Sequence, residues 1–210
     1  DIVGNISVTV SVSHVKVTYQ QAEHVSYGES GLLAEKNAPF TFTVNAEQGY
    51  VITEVSVTQE GGSPVSVTGE NGTYSFAVTD KAITVSATVR AVRYTIEFDN
   101  GEETFAQTLS AEYGQDVTLT DVGSLDGFVP EHYTFEGWSL TPNGEKAYDD
   151  GATVRNLTVI DGGTVTLYAV LTAEQFTVTV GETSGFELSD LPEATYGQDY
   201  VVRILSLIHI

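Results

Sequence analysis

The stretch "YTFEGWSLTPNGEKAYDDG", Tyr133 to Gly151, holds the single tryptophan of a 210-residue chain, with Tyr133, Phe135, Tyr148 and the Asp149-Asp150 pair close by in sequence. It reads in two ways. Strand alternation puts Tyr133, Phe135 and Gly137 on one face and Thr134, Glu136 and Trp138 on the other. An exposed Trp138 beside Tyr148 would then stack on a sugar ring, which makes these two residues the candidate ligand contacts. In the other reading Trp138 lies against a small sheet or its hairpin, and Phe135, Leu167 and Tyr168 are largely buried. Pro142, Asn143-Gly144 and Asp150-Gly151 are then ordinary turn residues. A module of about 80 residues has little interior to spare, so the packing reading is preferred.

Outward from this stretch, period-two alternation recurs over most of the chain. It sets Ile6, Val8, Val10 and Val12 on one face, then Val15, Val17 and Tyr19, then Phe40, Phe42 and Val44. Val51, Val55 and Val57 follow, with Thr53 in phase, and then Tyr74, Phe76 and Val78, and Ile83, Val85, Ala87 and Val89. Strands with one polar face belong to antiparallel sheets. "EGGSP" and "ENGT" separate them, the latter with the Asn-Gly pair of a type I′ hairpin. Residues 1–92 are therefore expected to form one sandwich-like antiparallel module of about seven strands. Within it, "QQAEHVSYGESGLLAEKNA" breaks the alternation and reads as a long loop with one helical turn around Leu32 to Lys36.

Charge and composition remove several function classes. Eight Lys and Arg against 29 Asp and Glu give a net charge of −21, which repels phosphate backbones and anionic lipid heads. No nucleic-acid partner and no membrane insertion are expected, and no run approaches the ~20 apolar residues of a membrane span. The chain has no cysteine, so disulfides, thiolate metal sites and cysteine nucleophiles are excluded. His14, His24, His132 and His209 lack the spacing of a helical metal site. "FDNGEE" and "YDDG" offer carboxylates to calcium but not at ligand spacing. No serine nucleophile elbow, phosphate loop or hydrolytic acid pair is present. Asn5, Asn71 and Asn156 begin Asn-x-Ser/Thr triplets of the kind chance supplies in a Ser/Thr-rich chain. No catalytic residue, cofactor or metal ligand is assigned.

A second unit starts at "RYTIEFDNGEE". The series "YTIEFDNG", "YGQDVTL", "YTFEGWSLTPNGEKAYDDG" and "VTLYAVL" resembles the internalin-type B repeat, or Listeria–Bacteroides repeat, over residues 94–171. That family shows a strand ending in Asp and Gly, a Tyr-Gly-Gln-like turn, a Gly-Trp pair and a closing Leu-Tyr-Ala, in this order. The family usually follows Leu-Tyr-Ala with one residue and then Trp; here Val170 is followed by Leu171, a departure expected to loosen the last strand or its junction. "AEYGQD" (Ala111–Asp116) and "ATYGQD" (Ala194–Asp199) are near copies with differing neighbours, and the third segment reads as closer to the start of the first module.

The expected organisation is all-β, mainly antiparallel, in tandem small modules. Residues 1–92 form the sandwich-like module, 93–172 a β-grasp-like B repeat, and 173–204 the truncated start of a further β-module. Residues 205–210, "LSLIHI", resemble the translation of a sequencing-adapter end, CTGTCTCTTATACACATC, and are read as an adapter-derived tail. With Asp1 in place of a methionine, the sequence reads as mature protein or a fragment. The resemblance implies a non-enzymatic, extracellular stalk or spacer of a bacterial cell-surface protein with a Gram-positive-type envelope. The partner stays open, with host or cell-wall glycan or protein, met through another domain, as the candidate. The rival is an adhesive or carbohydrate-binding module of a secreted protein or glycosidase.

Overall fold

The computed structural model describes residues 13–28, 32–101, 104–181 and 191–202. Ile6–Val12, Asn5, Glu102-Glu103 and the tail Leu205–Ile210 with His209 lie outside the described residues. The chain forms two compact units: Asp1–Arg93 with Glu112–Gly114 and Thr158–Gly162, and Tyr94–Ala111 with Gln115–Leu157 and Gly163–Ile210.

The first unit contains β1 (His14–Tyr19), β2 (Val25–Tyr27), β3 (Leu33–Glu35), β4 (Pro39–Ala46), β5 (Tyr50–Gln59), β6 (Pro64–Val65), β7 (Val67–Glu70), β8 (Thr73–Ala77) and β9 (Ile83–Ala91). They make two sheets, ordered β3-β1-β9-β5-β6 and β2-β4-β8-β7. Val17, Val57 and Val85 from one sheet and Phe42, Val44 and Phe76 from the other join a single core, so the unit is a sandwich. Asn71 and Gly72 both have positive φ, 53° and 81°, and Glu70 pairs with Thr73, as a type I′ turn requires.

Three expectations are corrected here. "QQAEHVSYGESGLLAEKNA" carries β2 and β3 rather than a loop with a helical turn. At three residues each, these strands are too short to show a period, although Val25 and Ala34 are core residues. The sheet is also not purely antiparallel, because β1 runs parallel to β9, with Val17 opposite Ile83 and Tyr19 opposite Val85. Finally, β5 is bulged: Ile52 pairs with Val89 and Glu54 with Thr88, which leaves Thr53 as the extra residue. One extra residue flips the faces beyond it. Ile52, Val55 and Val57 therefore pack on the core, and Val51 does not share their face.

The second unit contains β10 (Arg93–Asp99), β11 (Thr104–Glu112), β12 (Asp116–Thr118), a 3₁₀ turn at Val122–Ser124, β13 (Tyr133–Ser139), β14 (Thr153–Arg155), β15 (Thr164–Ala173), β16 (Gln175–Phe176) and β17 (Ala194–Thr195). Its main sheet is ordered β11-β10-β15-β13, with β10 parallel to β15 and β13 antiparallel to it. A first and a last strand side by side and parallel at the centre is the β-grasp arrangement. Tyr94, Ile96, Phe98, Leu119, Leu125, Phe128, Trp138 and Leu167 are buried. The last strand is not interrupted by the Val170-Leu171 departure, since Leu171 pairs with Phe135 within β15.

The two units share one plan. β3-β1-β9-β5 corresponds to β11-β10-β15-β13, both with a parallel central pair. Tyr50 pairs with Ala91 and Tyr133 with Ala173; a bulge follows in each, between Ile52 and Glu54 and between Phe135 and Gly137. β4 and β8 pair with Phe40 opposite Phe76, as β12 and β14 pair with Val117 opposite Val154. The short pair β16–β17 repeats the opening once more, because Tyr196 N–H donates to the Glu174 carbonyl as Tyr113 does to Val92 and Lys36 to Ser13. The third segment thus opens with the contact that both earlier copies make.

Candidate functional site

The opening stretch is organised by the bulge in β13. Phe135 opposes Leu171, Gly137 opposes Val170 and Trp138 opposes Ala169, which leaves Glu136 as the extra residue. The simple alternation of Tyr133, Phe135 and Gly137 against Trp138 therefore fails, and Phe135 and Trp138 meet, with ring centroids 4.8 Å apart in an edge-to-face arrangement. Phe98 at 4.8 Å and Phe128 at 5.3 Å complete the enclosure. Trp138 is 0% exposed, so its ring has no face to lend to a sugar in this conformation. Leu167 is likewise buried, whereas Phe135 and Tyr168 are half-buried.

Tyr148 is joined to Trp138 through the backbone. Trp138 N–H donates to the Tyr148 carbonyl at 2.8 Å, and the Trp138 carbonyl accepts from Ala147 and Tyr148 at 2.7 and 3.0 Å. The close approach requires glycine at 137. Its φ is +147°, and a Cβ there would lie 2.5 Å from the Tyr148 carbonyl oxygen. Buried Ser139 donates its hydroxyl to the Thr141 carbonyl at 2.9 Å and accepts from the Thr141 amide at 3.2 Å, which fixes the entry to the Pro142–Gly144 turn.

The two aspartates of this stretch are engaged within the fold. Asp149 accepts from Lys146 Nζ at 2.8 Å, and this bond raises the Lys146 pKa. Asp150 accepts from the Val122 amide at 2.9 Å, which anchors the 3₁₀ turn. In "FDNG", Asp99 accepts from the Gly101 amide at 2.7 Å, and Asn100 Nδ2 donates to the Phe128 carbonyl at 2.9 Å. His24 sits beside Glu47 at 2.9 Å, and His132 beside Glu174 at 3.0 Å and Glu131 at 3.7 Å. Among the described residues no three His, Asp or Glu gather in a group that would hold a metal ion.

An open groove of about 500 Å³ in the second unit is lined partly by this stretch, with Asp99, Tyr133, Pro142, Asn143, Tyr168 and Leu171 among its walls. It brings together two half-buried tyrosines, Tyr133 and Tyr168. In the first unit a feature went unread in the sequence: Arg90 grips Asp161 with two bonds of 2.7 Å. The Arg93 amide adds a third at 3.2 Å. These donors hold the Asp161 carboxyl at about 2, well below its ordinary range, with the Arg90 side chain as the largest cause. No composition or spacing signal links residues so far apart in sequence.

No curated protein matches the chain. Residues 94–170 match the family model described as the Listeria-Bacteroides repeat domain, and the match supports the assignment of that stretch as a B-repeat segment.

Proposed function

We propose that this chain is a non-enzymatic extracellular repeat segment that serves as stalk or spacer of a bacterial cell-surface protein. The Listeria-Bacteroides repeat suggests a bacterial surface repeat protein. The observation that carries the spacer reading is the recurrence of one strand order, register and bulge on both sides of Arg93, while the side chain best suited to stack on a sugar, Trp138, is spent on packing. Among the described residues no helix is long and apolar enough to cross a membrane. A spacer is interchangeable by length. Replacing residues 13–174 with unrelated β-modules of equal length, in the protein that carries them, should preserve surface display and binding by the remaining domains. Loss of binding on that replacement, with display intact, would sink the proposal.

The groove lined by Tyr133 and Tyr168 favours a second reading, an adhesive or carbohydrate-binding module, because aromatic rings beside Asp and Asn side chains suit a sugar. Saturable binding of the chain on a glycan array, abolished by Tyr168→Ala with folding intact, would establish it. The absence of any binding returns the groove to the spacer.

A further inference from the structure

The hexapeptides Ala111–Asp116 and Ala194–Asp199 end in the same four residues, Tyr-Gly-Gln-Asp, and each tyrosine meets the same kind of sheet corner. In the first unit the Val92 amide donates to the Gly49 carbonyl and the Tyr113 amide to the Val92 carbonyl, both at 2.8 Å. The Tyr113 ring lies edge-on to Tyr50, with centroids 6.2 Å apart, and Tyr50 stacks flat on His24 at 3.8 Å. Gly49, at φ +86°, leaves the room, since a Cβ there would overlap the Tyr113 ring. In the second unit the Glu174 amide donates to the His132 carbonyl at 2.8 Å and the Tyr196 amide to the Glu174 carbonyl at 3.0 Å. The Tyr196 ring lies edge-on to Tyr133 at 5.7 Å and against His132 at 4.6 Å. His132 stands where Gly49 stands and has the same left-handed backbone, φ 66°. Behind each turn tyrosine comes a glycine at φ 83° or 73°, Gly114 or Gly197.

We propose that the Tyr-Gly-Gln-Asp turn is a plug by which one copy of the repeat recognises another: its tyrosine seats on a sheet corner made of a left-handed residue followed by tyrosine. The corner's requirements are specific. The left-handed residue's carbonyl accepts from Val92 or Glu174, and the tyrosine after it meets the plug's ring at a steep angle, 70° or 87°, a favoured aromatic geometry. The partner is thus a second copy of the repeat, and any copy with Gly-Tyr or His-Tyr at this place accepts the turn. This holds for a spacer and for an adhesive module alike.

The test is amide hydrogen exchange and tyrosine ring NMR on the full chain carrying Tyr113→Ala, Tyr113→Phe, Tyr196→Ala, or an exchange of the two hexapeptides. Tyr113→Ala should speed exchange at residues 92 and 113 by about tenfold or more and shift the Tyr50 ring signals, with the second corner unchanged. Tyr196→Ala should do the same at residues 174 and 196 and at Tyr133. Tyr113→Phe and the hexapeptide exchange should leave both corners protected. Unchanged protection in the alanine variants overturns the plug. So does a rise spread evenly over the chain, a phenylalanine variant as damaging as alanine, or an exchange of hexapeptides that opens either corner.

Discussion

Replacing Trp138 with alanine removes the largest fully buried side chain of the second unit. The indole is enclosed by Phe98, Phe128 and Phe135 at 4.8 to 5.3 Å, so its removal leaves a cavity walled by rings that cannot collapse far. Truncation of a buried aromatic of this kind costs about 3–5 kcal/mol. A module of about 80 residues carries only about 4–12 kcal/mol in total, so the variant should stand close to its unfolding threshold. With about 4–8 °C lost per kcal/mol at this size, the melting temperature should fall by at least about 12 °C. Trp138→Phe is the discriminating companion. The indole Nε1 has no hydrogen-bond partner among the described residues, so phenylalanine forfeits volume but no hydrogen bond and should lose less than half as much. Thermal unfolding followed by circular dichroism, with near-ultraviolet signals reporting the ring cluster, measures both. A Trp138→Ala melting temperature within a few degrees of wild type would refute the packing argument, and a phenylalanine variant as unstable as alanine would refute the neutrality of the N–H.

Other expectations are as direct. In β5, Ile52→Ala should destabilise the first unit clearly more than Val51→Ala, because the bulge gives Ile52 the core; equal melting temperatures would contradict the register. Asp161 has a folded pKa depressed to about 2, so its bond to Arg90 contributes above the unfolded value of about 3.9 and is lost as pH falls toward 2. Asp161→Asn should lower stability near neutral pH and flatten its fall between about pH 4 and pH 2, as parallel melts across pH would show. Residues 94–171 alone should still melt cooperatively. They should do so below the temperature seen in the full chain, since Glu112–Gly114 and Thr158–Gly162 belong to the first unit; a flat melt would count against the boundary. Calorimetric titration with calcium should show no micromolar site, since Asp149, Asp150 and Asp99 already accept bonds within the fold.

Much of the fold was legible because its strands are long and half-buried. Val15 and Val17, Phe42 and Val44, and Ile83, Val85 and Ala87 fall on the core face as their alternation implies. What period two cannot carry is a bulge. At Thr53 and Glu136 one inserted residue reverses the faces, so Ile52 and the pairing of Phe135 with Trp138 were hidden in otherwise clean patterns. Nor does alternation distinguish a parallel from an antiparallel neighbour, which is why the β1–β9 pair could not be read. The kinship of the two units was masked by their side chains: Val55 stands where Trp138 stands, and Phe42 where Leu119 stands. Backbone pairing was retained while the volumes filling the core were exchanged, a trade that packed interiors tolerate when patterning is kept. The residues at the candidate site were legible individually, but their roles as caps and turn anchors depend on amide groups far away in sequence.

The parallel pairing of β10 with β15 has a mechanical consequence. Parallel neighbours run the same way, so the chain enters this sheet at one end of β10 and leaves it at the opposite end of β15. A pull applied at the chain's two ends drags these adjacent strands past each other along their length. Their evenly spaced, slanted hydrogen bonds, from Thr95 opposite Thr164 to Asp99 opposite Tyr168, are then loaded together in shear instead of being peeled one at a time. The central β1–β9 pair of the first unit is arranged alike. Each sheet therefore meets a pull along its central strands with several hydrogen bonds at once.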